Sequence, residues 1–371
     1  MKRIFTLVLA SICLIANAQE RCGTEAHTKN MMSHNANYAI ARDKVNAQTE
    51  KWIENHPNHS EKTIITIPVV VHVVWKTNQE NISNAQIESQ IEILNDDFGR
   101  TNIDEIMTPS VWQEIAADCE IQFCLAETDP NGNTTTGITR KETTVSQFSI
   151  WGGSSVEDPS EGGVDAWPND DYLNIWVCNL GDNLLGYASP PSTCISSNDG
   201  VVINYPNFGN SGNANAPYHK GRTATHEVGH WLNLEHIWGD NNCGNDNVND
   251  TPEQEQDNYG CPSFPKLSSC PGAGANGEMF MNYMDYTNDA CMNLFTTGQK
   301  DRMISAINLY RSNMVTNKCN GSVGISEQRN NNRKLIKIVD ILGRTSTEKQ
   351  TNTPLFYIYD NGSVEKKMIV E

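Results

Sequence analysis

Thr225-His226-Glu227-Val228-Gly229-His230-Trp231-Leu232-Asn233-Leu234-Glu235-His236 carries the densest chemistry in the chain. His226 and His230 stand four apart, so on a helix they share one face. Two imidazoles at that spacing hold one zinc ion, and Glu227 sits beside them as a general base. His236 reaches the same metal only if the chain turns sharply after His230. Residue 233 is the expected turn, because a left-handed backbone suits glycine best and asparagine next. Asn233 therefore fits the bend. Three neutral nitrogens leave one tetrahedral position open, as a catalytic zinc site needs. HExxH arises by chance in a chain of this length at roughly one in a hundred, and a third histidine at the right offset lowers that about fifty-fold. Unconnected histidines on an ordinary helix are the weaker reading.

Outward from this stretch, Thr223 to Leu232 reads as a helix. Thr63 to Trp75 is a long β-branched run, read as a buried strand. Ser83-Asn84-Ala85-Gln86 has the capping-box pattern, and Ile87, Ile91, Leu94 and Phe98 behind it fall on one helical face. Ile121 to Ala126, Tyr172 to Val177 and Gly200 to Tyr205 read as further strands. The alternation predicts an α/β domain: a twisted mixed sheet, mostly parallel, an active-site helix and a loop-rich C-terminal subdomain. Residues 239–290 hold little regular pattern, and a loop that long is functional or pinned. Cysteines and calcium are the expected pins.

The chain has 371 residues and a formal charge of −18, from 27 Lys+Arg against 45 Asp+Glu. That balance argues against a nucleic-acid partner held through phosphates. It suits a secreted or cation-binding protein. Lys2 and Arg3, the apolar run Ile4 to Ile15 and Ala16-Asn17-Ala18 predict a signal peptide over 1–18. No segment is long enough to predict a membrane span. The polar stretch 19–61, with no strand pattern, reads as a pro-region or linker. Residues 62–320 carry the core, and 321–371 form a linker and a small β-rich tail. In that tail Leu335 to Leu342, Leu355 to Tyr359 and Val364 to Val370 read as strands, with Asp360-Asn361-Gly362 as a hairpin turn. Ten of the 11 cysteines lie beyond the signal. In an exported chain they read as disulfides. Cys119 with Cys124 and Cys178 with Cys194 are candidate pairs that spacing alone does not select.

Met281-Asn282-Tyr283-Met284-Asp285-Tyr286 adds a second motif. With the histidine stretch it resembles the metzincin zinc peptidases. Gly221-Arg222-Thr223-Ala224-Thr225, Asn282 to Tyr286, Leu184-Leu185-Gly186-Tyr187-Ala188 and Ala290-Cys291-Met292-Asn293 resemble the pappalysin family within them. The resemblance covers roughly residues 62–318, and Asn233 departs from the family's usual glycine. It implies a secreted zinc endopeptidase acting on protein or peptide substrates. His226, His230 and His236 would hold the zinc and Glu227 would be the general base. Met284 would form the turn beneath the metal, and Tyr286 would stabilise the developing oxyanion. It also implies the disulfides Cys243–Cys270 and Cys261–Cys291, and calcium ligands at Asp246, Asp250 and Thr251. Asp289 falls where metzincins build the pocket for the residue after the cut, which predicts a basic preference there. Leu185-Gly186-Tyr187-Ala188 is the expected strand edge for substrate.

Arg21-Cys22-Gly23-Thr24 is similar to the Arg-Cys-Gly motif of pappalysin-like precursors. Cys22 would fill the open metal position and hold the enzyme latent. The competing reading is a disulfide with Cys319. Val339 to Arg344 and Tyr359 to Gly362 resemble the C-terminal sorting domain of the type IX secretion system of Bacteroidetes. That resemblance implies transit through the periplasm, then release outside the cell or display on its surface. Two other functions compete: a binding or adhesion protein on a decayed peptidase fold, and a zinc amidase or peptidoglycan hydrolase.

Overall fold

The β-branched run forms β1, Ile65–Trp75, the strand around which the sheet is built. The computed structural model describes residues 21–57, 64–152, 154–193, 198–315, 318–319, 335–340, 344–346, 354–359 and 364–368. The expected signal peptide, Cys194, the 321–334 linker and the Asp360-Asn361-Gly362 turn lie outside them. β1 pairs parallel with β2 (Ile121–Leu125) through its first half and with β3 (Ile138–Glu142) through its second. Its other edge pairs parallel with β4, Leu173–Cys178, which pairs parallel with β6, Gly200–Asn204. β5, Gly186–Ala188, closes the order β2-β1-β4-β6-β5 as an antiparallel edge strand. The sheet is therefore mixed and mostly parallel.

β1 is apolar throughout because both of its faces are covered. Ile67, Val69, Val71 and Val73 pack with Ile87, Leu94 and Phe98 of α3 (Asn84–Phe98) and with Ala224, Val228 and Trp231 of α4 (Arg222–Trp231). Val74 on the opposite face packs with Trp176, Tyr187 and Val202. Burying one such valine fully is worth about 1.5–3 kcal/mol. Ser83 caps α3 by accepting from the Gln86 amide, 3.1 Å. The other half of the expected capping box is absent, because the Gln86 side chain donates to the Phe208 carbonyl at 2.8 Å.

Residues 24–55 are not a linker. They form α1 (Thr24–His34) and α2 (Ala36–Asn55), which belong to the same compact unit as the sheet, Met1–Asn320. A further helix, α5 (Thr297–Tyr310), starts at a complete Thr296–Gln299 capping box. The second compact unit is Gly321–Glu371. Its strands β7 (Leu335–Val339), β8 (Pro354–Tyr359) and β9 (Val364–Met368) pair antiparallel. Ile338, Leu355 and Tyr357 form its cluster.

Cys243 bonds to Cys270 and Cys261 to Cys291. Cys124 bonds to Cys319, across 195 residues of sequence. This overturns the Cys119–Cys124 pair and also the Cys22–Cys319 alternative. Cys22, Cys119 and Cys178 are free and buried. Cys119 instead sits in the main apolar core.

Candidate active site

α4 begins where Arg222 and Thr225 both reach Asp97, at 2.9 and 2.7 Å. Tyr283 donates to the same carboxylate at 3.0 Å. One buried acid thus fixes the histidine helix against the 281–286 turn. His226 and His230 leave α4 on one face. The helix ends at Trp231, and Asn233 turns the chain with φ 72°. The expected left-handed bend is therefore where Asn233 stands, and it brings His236 back to the pair. Met284 packs beneath, and a Cβ on Gly229 would meet its Sδ at 2.6 Å. That glycine is what lets helix and turn come so close.

Each imidazole has its Nδ1 committed. His226 Nδ1 meets the Tyr283 carbonyl at 2.7 Å, His230 Nδ1 the Leu234 carbonyl at 2.8 Å, and His236 Nδ1 the Asp240 carboxylate at 2.5 Å. Carbonyls and carboxylates only accept, so each Nδ1 carries the proton and, in the neutral ring, each Nε2 presents a lone pair. Those Nε2 atoms face one another, with His230 3.1 Å from both His226 and His236. Burial holds His226 well below the usual histidine range and pushes His230 down to about 3, whereas for His236 burial is outweighed by Asp240, which pushes that ring up. Three ring nitrogens converging in a dry site crowd one another, and a cation between them would take all three Nε2 lone pairs once His236 gives up its second proton. The residues therefore fit a divalent metal with a taste for nitrogen. Asp240 supplies the carboxylate behind one ligand that such sites use to fix ring orientation. Trp238 stacks on His236 at 4.4 Å.

Glu227 is fully buried next to the cluster, and burial pushes its carboxyl up to about 7. Its Oε1 has no partner. Its Oε2 accepts from Thr24 Oγ1 at 2.8 Å and lies 3.4 Å from Cys22 Sγ. Gly186 faces it closely, and a Cβ there would lie 3.0 Å from Glu227 Cγ. The Tyr286 hydroxyl lies 3.1 Å from His236 Nε2 and donates to the Cys22 carbonyl at 3.4 Å.

The segment Arg21–Thr24 runs along the free edge of β5. Cys22 bridges Gly186 in parallel. The Gly23 amide donates to the Gly186 carbonyl at 2.8 Å, and the Leu185 amide to the Arg21 carbonyl at 3.2 Å. Cys22 Sγ joins the three histidine nitrogens within 4.8 Å. Burial, then Glu227, push this thiol up. A dication among the same atoms would pull it down. One residue earlier, Arg21 pairs with Asp289 at 3.2 Å, both fully buried, and donates to the Thr287 carbonyl.

The site thus brings together His226, Glu227, His230, His236, Met284, Tyr286, Cys22 and Asp289. Of the three residues expected to bind calcium, Asp246 and Thr251 meet and Asp250 stands apart. Thr251 donates to both Asp246 oxygens at 2.9 Å. Asp250 turns away to the start of α5, where it accepts from Thr296 Oγ1 at 2.6 Å and the Gly298 amide at 2.8 Å. The 239–290 loop is pinned instead by its two disulfides and by buried Asp285, which Gln254 and Asn258 hold at 2.8 Å. Sequence reasoning missed Asp97, Asp240 and Thr24. Only Asp240 carried a local signal, four residues past His236.

The Peptidase M43 family, described as pregnancy-associated plasma protein-A, matches residues 160–308. An extracellular metalloprotease of Arthroderma otae is 31% identical over 256 residues, 67% of this chain and 80% of its own length. One from Colletotrichum graminicola is 29% identical over 319 residues, covering 83% and 96%. Mature mirolysin of Tannerella forsythia, solved with a cleaved peptide, superimposes with TM-score 0.66 at 53% identity, covering 69% of this chain and 97% of that one. A promirolysin mutant from the same organism gives 0.71 at 48%, covering 80% and 97%. Among the described residues no helix is long and apolar enough to cross a membrane. The chain belongs to the M43 metzincin peptidases and is a secreted metalloendopeptidase.

Proposed function

We propose that the chain is the latent form of a zinc endopeptidase that prefers a basic residue after the cut. The observation that carries this is the seating of Arg21 and Cys22. The arginine enters a pocket closed by Asp289, while the adjacent sulfur lies against the three histidine nitrogens. In this reading His226, His230 and His236 hold zinc, and Met284 is the apolar floor. Bound there, zinc would polarise a carbonyl and acidify water toward a pKa of about 7.

The remaining work falls to the chain's own residues. Glu227 takes a proton on its free carboxylate and returns it to the leaving amine. Tyr286 donates its hydroxyl to the oxygen on which charge develops. The β5 edge lines up the substrate main chain, through the groups that now hold Arg21 and Gly23. Cys22 keeps the fourth metal position closed until residues 19–61 are removed as a pro-region. Residues 321–371 would then serve the type IX secretion machinery as a sorting domain, a reading supported by their independent three-stranded unit. Export without them, at the full-length level, would count against that role.

The test is to incubate the precursor, lacking residues 1–18, with a mixture of peptides, with and without a zinc chelator. Mass spectrometry reads every new end. The expected result is chelator-sensitive cuts before Arg or Lys, including cuts in the precursor itself. Cuts insensitive to chelator would overturn the zinc reading. Cuts without basic residues after them would overturn the Asp289 pocket.

A further inference from the structure

α2 meets the rest of the molecule far along the chain from Cys22, at the turn that returns His236. Arg42 Nη1 donates to the Pro191 carbonyl at 2.6 Å and to Asn233 Oδ1 at 2.9 Å. Asn233 Nδ2 donates to Thr49 Oγ1 at 3.2 Å and Asn46 Oδ1 at 3.5 Å. From below, Arg302 Nε donates to the Asn233 carbonyl at 2.7 Å, and its Nη2 to Asn46 Oδ1 at 2.6 Å. Asn46 also reaches Glu235 at 3.2 Å. Asn233, Thr49 and Arg302 are fully buried, and Arg42 is 8% exposed.

Arg42, Asn46 and Thr49 stand four and three apart, so one helix face presents all three. At φ 72° a glycine would make the Asn233 turn with less strain. The asparagine adds an amide with its acceptor on Arg42 and its donor on Asn46 and Thr49. Every hydrogen bond of that buried side chain goes to α2. Without α2, the Asn233 amide would lose all of these partners, a costly loss for a buried polar group, while Arg302 Nη2 would keep only Glu235, at 3.3 Å.

We infer that Asn233 is a docking site for α2, a second hold on the pro-region that needs no metal and acts apart from Cys22. The partner it fits is a helix bearing Arg, Asn and Thr at the spacing of residues 42, 46 and 49. The inference rests on reading the residues before β1 as a removable pro-region. Its consequence is that loss of the cysteine contact alone leaves α2 seated on the loop between the second and third histidines.

The test is amide hydrogen exchange on the full-length protein. Arg42→Met lies in α2, so the enzyme that remains after processing is unaltered. It should speed exchange over residues 36–55 about tenfold while the Gly23 and Thr24 amides stay protected. Thr49→Val, which keeps the side-chain shape, should give a smaller rise of the same sign. In an Asn233→Gly background Arg42→Met should add a clearly smaller rise, because only the bond to the Pro191 carbonyl is left to lose. Unchanged exchange over α2 in Arg42→Met would overturn the inference, as would the same tenfold rise on top of Asn233→Gly. Exchange needs no turnover, so it is independent of the switch reading. Unchanged latency in Cys22→Ala, with α2 exchange raised in Arg42→Met, would sink the switch and keep the docking site.

Discussion

Arg21 and Asp289 form an ion pair at 3.2 Å with both side chains fully buried. The second Asp289 oxygen accepts from the Lys220 and Arg222 amides at 2.8 and 3.3 Å. Tyr218 lies over the guanidinium, 5.1 Å from the ring centre. A carboxylate fixed by two amides and roofed by an aromatic ring is a ready seat for a cation. Under the proposed function a substrate arginine would find the same partners once Arg21 has gone. Asp289→Ala should lower kcat/KM for peptides with Arg after the cut by about a hundredfold, the usual cost of breaking a buried charge pair. Peptides with a small neutral residue there should change only a few-fold. Competitive cleavage of a peptide library gives both numbers, and an unaltered basic preference would remove Asp289 from the pocket.

Cys22 and Thr24 both converge on Glu227, from 3.4 and 2.8 Å. In the proposed latent form the block at this point would have two parts: the sulfur against the histidine nitrogens and the Thr24 hydroxyl on Glu227. Cys22→Ala should shorten the lag before chelator-sensitive activity by at least about tenfold, the worth of roughly 1.4 kcal/mol. Thr24→Val should shorten it less, because it frees the base without opening the metal position. Lag times from a fluorogenic peptide decide this. Equal lags in Cys22→Ala and the parent would rule out the switch.

The site was legible in the sequence because its chemistry imposes fixed spacing. Histidines four apart must share a helix face, and the third must return through a residue that tolerates positive φ, which Asn233 does. The helices before β1 were not legible. The buried face of α2 is Tyr38, Ala41, Arg42, Val45 and Thr49, which breaks the apolar stripe that marks a docked helix. Its arginine and threonine are inward because the surface they meet is polar. Cysteine spacing likewise left the pairing around Cys119 open, since Cys124 finds its partner 195 residues away on the closed fold. Asp250 shows a third limit. An acid in a turn-rich loop reads the same whether it binds a cation or caps a helix that starts 47 residues later, as it does at Thr297.

Glu227 meets Thr24 and Cys22, whereas the Tyr286 hydroxyl meets His236 and the Cys22 carbonyl, so their losses should differ in kind. Glu227→Gln keeps the shape and removes the base. It should lower kcat by about 10³–10⁴ with zinc content unchanged, in the upper range for general acid–base groups. Tyr286→Phe removes one donor to the developing oxyanion and should lower kcat by about 10²–10³ with KM little altered. Single-turnover kinetics beside metal analysis separate these effects from loss of the site. A Tyr286→Phe enzyme with parent kcat would leave the tyrosine as packing beside Trp238.

His27 offers a pH test of how the proposed pro-region is held. Its ring packs on Tyr187 of β5, centroids 5.0 Å apart, and burial pushes its pKa down from 6.5 to about 4. A histidine depressed in the docked state is neutral there and takes up a proton on release. Docking therefore has its full strength above about pH 6.5 and weakens as pH falls from there toward 4. A fully buried ring would give a tenfold loss per pH unit, but His27 is only half-buried, so a few-fold per unit is expected. His27→Phe keeps the packing and removes the titration. Preincubating the precursor near pH 7.5, 6 and 5, then assaying at one common pH, should show acid-accelerated activation in the parent and a flatter profile in His27→Phe. The same acceleration in both would place the proton-sensitive group elsewhere.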